Sequence, residues 1–227
     1  EEESIKSGQG MMLLFDINTG LPQAILVDEA NLTDLRTGIA GAIASQTLAN
    51  SDLEVATIIG SGVQARYQAR CHVDLMSLNS LMIWARDHKK AEVLMDDLAD
   101  LNITIKIRND LEALVKESQL IITATSAKTP IIKSDWVQPG THITAVGSDT
   151  PEKCELDPKL LAKASIVVAD SISQNKLRGE IYQALKENCL SVENLIELGE
   201  VLEGTKLGRT GPNQITVADL TGVAIQD

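Results

Sequence analysis

Short aliphatic strands alternating with helices predict an α/β fold, built on a doubly wound parallel sheet with a second, partial domain attached. Three observations carry that expectation. From residue 55 on, runs of Val, Ile, Leu and Ala recur between helical stretches. Aromatics are 2% of the chain while hydrophobic residues are 44%, so the core is aliphatic, as suits strands covered on both faces. Gly60-x-Gly62-x-x-Ala65 also lies between the first of these strands and the helix that follows it.

The elements follow in order. Met11–Phe15 reads as a strand, 16–20 as a turn and Pro22–Val27 as the return strand of a hairpin. Asn31 or Thr33 can cap a helix running to about residue 49, where Asn50-Ser51-Asp52 breaks it. Val55–Ile59 is the first aliphatic strand, followed by a helix over 62–77, a strand over 81–84 and a helix over 89–98. A strand over 103–107, the short helix Leu111–Glu117, and strands over 120–124, 143–146 and Ile166–Ala169 continue the pattern. Before the last of these, Asp157 caps a helix with Pro158 at its first position. After Asp170 the pattern is mostly helical up to a final strand at 215–217. The alternation implies right-handed crossovers and parallel pairing. The domains read as 1–50, a partial substrate-binding or dimerisation domain with a connecting helix; 51–217, the sheet domain; and 218–227, a segment returning to the first.

Bulk properties narrow the function classes. The chain has 227 residues and a formal net charge of -12, a balance that repels nucleic acid and anionic membranes. Small-molecule partners are favoured by elimination. Cys71, Cys154 and Cys189 are odd in number and far apart, which argues against a disulfide framework or a zinc site and for a reducing, cytoplasmic setting. His72, His88 and His142 show no metal-ligand spacing, so no metal is expected. No apolar run approaches the roughly 20 residues of a membrane span. The N-terminus opens Glu1-Glu2-Glu3 and shows no signal peptide.

The glycine motif points to a dinucleotide. Gly60 would make the tight turn, Gly62 would admit the pyrophosphate, and Ala65 would let the helix pack on the strand, which is the Rossmann-type arrangement. Amide hydrogens at Gly60, Ser61, Gly62, Val63 and Gln64 would then face the anion at a helix N-terminus. The plainer alternative is a strand-to-helix turn that needs glycine only for its geometry. The second strand ends at Ala85, followed by Arg86 and Asp87. Arg86 can pair with a 2′-phosphate, which favours NADP(H) over NAD(H); the counter-reading puts Asp87 on the ribose hydroxyls.

Two further residues stand out. Arg36 lies in the first turn of its helix, where a cation opposes the helix dipole. An ion pair with Asp34 or Glu29 is the favoured local explanation, and bidentate capture of a substrate carboxylate is the sharper one. Asp149 lies just past a strand's carboxyl end, where a partly desolvated carboxyl could exchange protons with a substrate. A turn aspartate before Pro151 is the plain alternative.

Several segments taken together resemble the ornithine cyclodeaminase/mu-crystallin family over nearly the whole length. They are Leu32-Thr33-Asp34-Leu35-Arg36-Thr37, Ile59-Gly60-Ser61-Gly62-Val63-Gln64-Ala65, Thr123-Ala124-Thr125-Ser126, Val146-Gly147-Ser148-Asp149-Thr150-Pro151-Glu152-Lys153 and Thr221-Gly222-Val223-Ala224-Ile225-Gln226-Asp227. The resemblance implies a two-domain subunit in a homodimer. It implies that Arg36 holds the substrate carboxylate, that Asp149 sits beside the reacting carbon and nitrogen, and that Thr221-Gly222 approaches the nicotinamide. Thr125, Ser126, Val146 and Gly147 join the cofactor contacts on the same basis. The family also carries an N-terminal stretch with an active-site lysine and arginine, and a further helix beyond residue 227, so the chain is expected to be a fragment. The implied chemistry is hydride transfer at the α-carbon of an amino or imino acid. Ala85-Arg86 departs from the acidic residue of the cyclodeaminases, which favours an NAD(P)H-dependent reductase of a small cyclic imino acid of the delta-1-pyrroline-2-carboxylate type. Ornithine cyclodeamination, alanine dehydrogenation and NADPH-assisted binding without catalysis, as in mu-crystallin, are the alternatives.

Overall fold

A computed structural model describes residues 10–226, with the side chain of Ala224 excepted. Residues 1–9 of the first expected domain, and Asp227 of the closing motif, lie outside the described residues. The hairpin forms from β1 (Met11–Phe15) and β2 (Pro22–Val27), which pair antiparallel. Asp16 shapes its turn by accepting from the amides of Asn18 at 2.9 Å and Thr19 at 2.7 Å.

α1 (Asn31–Leu48) then leads to the main sheet. Its start differs from the expected cap. Ala30 is the N-cap residue, in the left-handed region at φ 67, and no side chain of its own caps the helix. Asp28 supplies the acceptor instead, taking the amide of Leu32 at 2.7 Å. Asn31 and Thr33 fall inside the helix because this earlier carboxylate reaches its free N–H groups first.

The remaining strands and helices are β3 (Val55–Ile59), α2 (Val63–Met76), β4 (Ser80–Trp84), α3 (His88–Asp97), β5 (Thr104–Ile107), α4 (Leu111–Glu117) and β6 (Leu120–Thr123). They continue with β7 (His142–Ala145), α5 (Pro158–Lys163), β8 (Ile166–Ala169), α6 (Ile172–Asn175), α7 (Glu180–Lys186), β9 (Leu195–Glu197), α8 (Leu198–Leu202) and β10 (Thr216–Asp219). Eight strands form one sheet in the order β5-β4-β3-β6-β7-β10-β8-β9, and every pair is parallel. The chain reverses its direction of travel across the sheet between β3 and β6, which opens a crevice at their carboxyl ends.

Each strand feeds both layers because successive side chains alternate. Ala56, Ile58, Leu120 and Ile122 pack with Ala44 and Leu48 of α1, Ala65 and Ala69 of α2 and Leu94 of α3. Ile59, Ile121, Ile143 and Val217 pack on the other face with Val115, Leu160, Leu161 and Ile181. The doubly wound class is therefore as the aliphatic runs predicted.

Two features differ from the sequence reading. β9 adds an edge strand in a region expected to be helical; three residues paired along one side are too short to show a period. The last strand enters the middle of the sheet between β7 and β8 and runs to Asp219, past the boundary read at residue 217.

α1 is pinned to the sheet by buried polar groups. The His72 ring faces the Gln68 carbonyl through Nδ1 at 2.7 Å, so that nitrogen donates and Nε2 accepts from the Ser45 hydroxyl at 2.8 Å. Ser45 lies 2.7 Å from the Thr144 hydroxyl, which in turn meets His142 at 2.9 Å. Burial pushes the His72 pKa down to about 4; burial, then the charge of Arg209, push that of His142 down to about 3, so both rings are neutral near pH 7. Ser45→Ala, which strands two buried partners, is expected to cost about 1–3 kcal/mol, read as a lower urea midpoint with an unchanged slope.

Candidate functional site

The expected cofactor residues converge on the carboxyl edge of the sheet, and backbone bonds just past the strand ends bring them together. The Gly60 amide donates to the Trp84 carbonyl at 2.9 Å, and that of Ala124 to Ile59 at 2.8 Å. Val146 donates to Thr123 at 2.9 Å and Leu220 to Ala145 at 2.9 Å. Gly60-Ser61-Gly62-Val63-Gln64, Ala85-Arg86-Asp87, Thr125-Ser126, Val146-Gly147 and Thr221-Gly222 therefore line one row.

The turn after β3 has the form of a phosphate cradle. Gly60 sits at φ 134, and a Cβ there would strike the Ala124 carbonyl on the far side of the crevice. Only glycine allows that backbone and that approach together. Gly62, by contrast, faces open space, and a Cβ would meet nothing within 4 Å. It is also the N-cap of α2, and no side chain caps that helix. The free amides at this helix start fit the pyrophosphate of a dinucleotide. Ala65 is fully buried, so α2 packs closely on the sheet.

Beyond β4, Ala85 is half-buried and Arg86 is exposed. Asp87 is the N-cap of α3, one carboxylate oxygen accepting from the Lys89 amide at 3.0 Å. The counter-reading that gave Asp87 to the ribose must share that carboxylate with a helix cap.

Arg36 comes to the site from α1. It donates to the Gln226 side chain at 3.1 Å, and a Cβ on Gly222, at φ 77, would lie 2.9 Å from its guanidinium. Asp34, one of its expected ion-pair partners, is instead held by the Gln64 side chain, whose Nε2 donates to it at 2.7 Å. That bond ties α1 to the phosphate turn. Thr221-Gly222 is fastened from behind: Asp170 accepts from the Gly222 amide at 2.7 Å, and Gln174 donates to Thr221 at 2.7 Å and to the Gly222 carbonyl. Burial pushes the Asp170 pKa up, against the pull of these amides.

Asp149 stands on the same edge but differs from its expected environment. Its side chain is 54% exposed and ion-paired with Lys153 at 2.5 Å, not partly desolvated. The desolvated carboxyls lie underneath, on Glu155, Glu180 and Asp219, each almost fully buried. The sequence reading passed over these residues and over Ser148. The available signal was a lone Glu within Cys154-Glu155-Leu156 and an Asp ending an aliphatic strand.

The family model of the ornithine cyclodeaminase/mu-crystallin family matches residues 1–227. The chain belongs to that family. It is 42% identical over 225 residues to an uncharacterised cyclodeaminase of Sinorhizobium fredii, covering 98% of this chain and 68% of the relative. An archaeal alanine dehydrogenase dimer with bound NAD superposes with a TM-score of 0.91 at 33% identity, over 99% of this chain and 69% of that one. The delta(1)-pyrroline-2-carboxylate reductase of Thermococcus litoralis, in complex with NADH and L-proline, gives 0.89 at 30% identity, over 96% and 68%. Among the described residues no helix is long and apolar enough to cross a membrane.

Gly60→Ala forces a side chain against the Ala124 carbonyl. It is expected to lower stability by about 1–3 kcal/mol, read by chemical denaturation.

Proposed function

We propose that this protein is an NAD(P)H-dependent reductase of a small cyclic imino acid of the delta-1-pyrroline-2-carboxylate type. The observation that carries the reading is the meeting of Arg36 with the Thr221-Gly222 segment on the same sheet edge as the open glycine cradle. A guanidinium there suits a planar carboxylate, because two parallel N–H groups match its two oxygens. Gly60, Ser61, Gly62, Val63 and Gln64 would hold the cofactor phosphates, and Thr125, Ser126, Val146, Gly147, Thr221 and Gly222 its nicotinamide half. Bound there, the reduced cofactor supplies a hydride for the C=N carbon. Arg36 orients the imino acid by its carboxylate. Asp149, with Lys153 beside it, relays the proton that the nitrogen takes from solvent or stabilises the iminium, so that C=N becomes CH–NH. Positioning of this kind contributes much of the rate.

NADP(H) is favoured over NAD(H), since Arg86 is exposed where a 2′-phosphate would lie and Asp87 is engaged as a helix cap. A homodimer is the proposed assembly. Its support is the apolar outer surface of the hairpin, where Met11, Phe15, Ile25 and Val27 are each more than half exposed. The division at residue 50, with the far boundary moved past the end of β10 at Asp219, and a cytoplasmic setting, which three free cysteines suit, complete the proposal.

The test is a steady-state assay of the full-length protein with delta-1-pyrroline-2-carboxylate, NADPH and NADH. Loss of reduced cofactor, faster with NADPH, is expected. Ammonia release from ornithine without net cofactor loss would make it a cyclodeaminase instead, and neither activity would leave a binding protein. Arg36→Met is expected to raise KM for the imino acid by about tenfold or more, the worth of a charge-assisted hydrogen bond. Asp149→Asn is expected to lower kcat by about 100-fold, the contribution of one positioned acid–base group, and unchanged turnover removes Asp149 from that role.

A further inference from the structure

Beneath the expected nicotinamide site lie two buried carboxyls that meet no cation among the described residues. Glu155 is fully buried, Glu180 is 1% exposed, and every hydrogen bond they receive comes from a neutral donor. An uncompensated pair of this kind is costly, and among the described residues no group of three or more His, Cys, Asp or Glu could hold a metal. Its place in the fold suggests what the cost maintains.

Glu155 spans two loops. One oxygen, Oε1, accepts the Thr125 amide at 2.6 Å, in the loop after β6. The other, Oε2, accepts the Gly147 amide at 3.0 Å, in the loop after β7, and the Thr123 hydroxyl at 2.7 Å. The loops come so close that a Cβ on Gly147 would strike both the Thr125 carbonyl and the Glu155 carboxyl. Glu180, on α7, holds Glu155 in turn, accepting its amide at 2.8 Å and that of Leu156 at 3.0 Å. Glu180 also receives the hydroxyl of Ser148, the residue before Asp149. Thr125, Gly147 and Asp149 are thus referred to one rigid unit.

We propose that the Glu155–Glu180 carboxyl pair is a positioning unit that fixes the slot between the Thr125 and Gly147 loops, where the nicotinamide half of the cofactor is held. This rests on the cofactor reading above. The chemistry of the clamp is specific. Both oxygens of Glu155 must accept from backbone N–H groups on different loops. Gln offers one acceptor and one donor, so in either orientation its NH2 meets an amide N–H.

The pair also supplies a pH signature. Burial, then the charge of Glu180, push the Glu155 pKa up to about 7, and burial raises that of Glu180. The facing titratable groups are Asp219 on β10, Asp170 past β8 and Cys154 on the same segment; burial raises all three, that of Cys154 to about 12. Above the titration both Glu155 oxygens accept. Below it, the neutral carboxyl accepts the two loop amides without the assistance of its charge, so grip on the cofactor weakens as pH falls through about 7.

The experiment measures NADPH and NADH affinity by fluorescence, with kcat and KM, from about pH 6 to about pH 8.5 in the full-length protein. Glu155→Gln is expected to weaken binding of the reduced cofactor about tenfold, with a smaller change in kcat at saturation and no inflection near neutrality. Thr123→Val, which removes only a hydroxyl donor, is expected to keep the inflection and move it up by about half a unit or more. A wild type that binds neither NADPH nor NADH overturns the cofactor reading itself. A wild type that binds either, with Glu155→Gln unchanged in affinity and pH profile, overturns the positioning role alone. Where Glu155→Gln does not fold, Thr123→Val decides, and an unmoved inflection overturns the role.

Discussion

The close approach of Gly60 to the Ala124 carbonyl sets the spacing on which the site depends. It joins β3 to β6 where the chain reverses its path across the sheet, so two loops that would otherwise diverge are held against each other. Backbone bonds beyond the strand ends carry that spacing outward, from Trp84 on one side to Ala145 and Leu220 on the other. The site is accordingly a row of loops on a rigid edge, and its residues come from segments far apart in the chain.

α1 brings chemistry to that row from outside the sheet. It lies along α2, where Gly38 is buried and a Cβ would come within 2.9 Å of the Cys71 sulfur. It is held there by Gln64 on Asp34 at one end and by the Ser45–His72–Thr144 chain near the other. Arg36 is therefore presented by a helix fixed to the glycine turn, so motion of one moves the other. The carboxyls of Asp170, Glu155, Glu180 and Asp219 do similar work from below, each accepting a backbone amide from a neighbouring loop or from α7. Buried acids without cations are a costly way to tie loops down, and they confine the site to a narrow set of backbone positions.

Much of the fold was legible because its signals are local. β3, β8 and α4 are bounded as the aliphatic runs and caps indicated, and Asp157 caps α5 as expected, accepting from the Lys159 amide at 3.0 Å. The glycine turn was legible for the same reason, since its geometry and its sequence spacing are one constraint. The α1 cap was not, because the acceptor came from Asp28, outside the helix. Asp149 was picked out by its position past a strand, but its exposure depends on Lys153 and on what packs below it.

By itself, then, the sequence determined the layer architecture, the parallel sheet and the glycine turn after β3, because hydrophobic period and glycine geometry act over a few residues. Only the tertiary structure decided that β10 enters the middle of the sheet, that Arg36 meets Gly222, and that Glu155 lies 2.6 Å from Thr125 and 3.0 Å from Gly147. Those contacts join segments widely separated in the chain. A buried carboxyl's partners are set by what the whole sheet brings to it, which no short window of residues records.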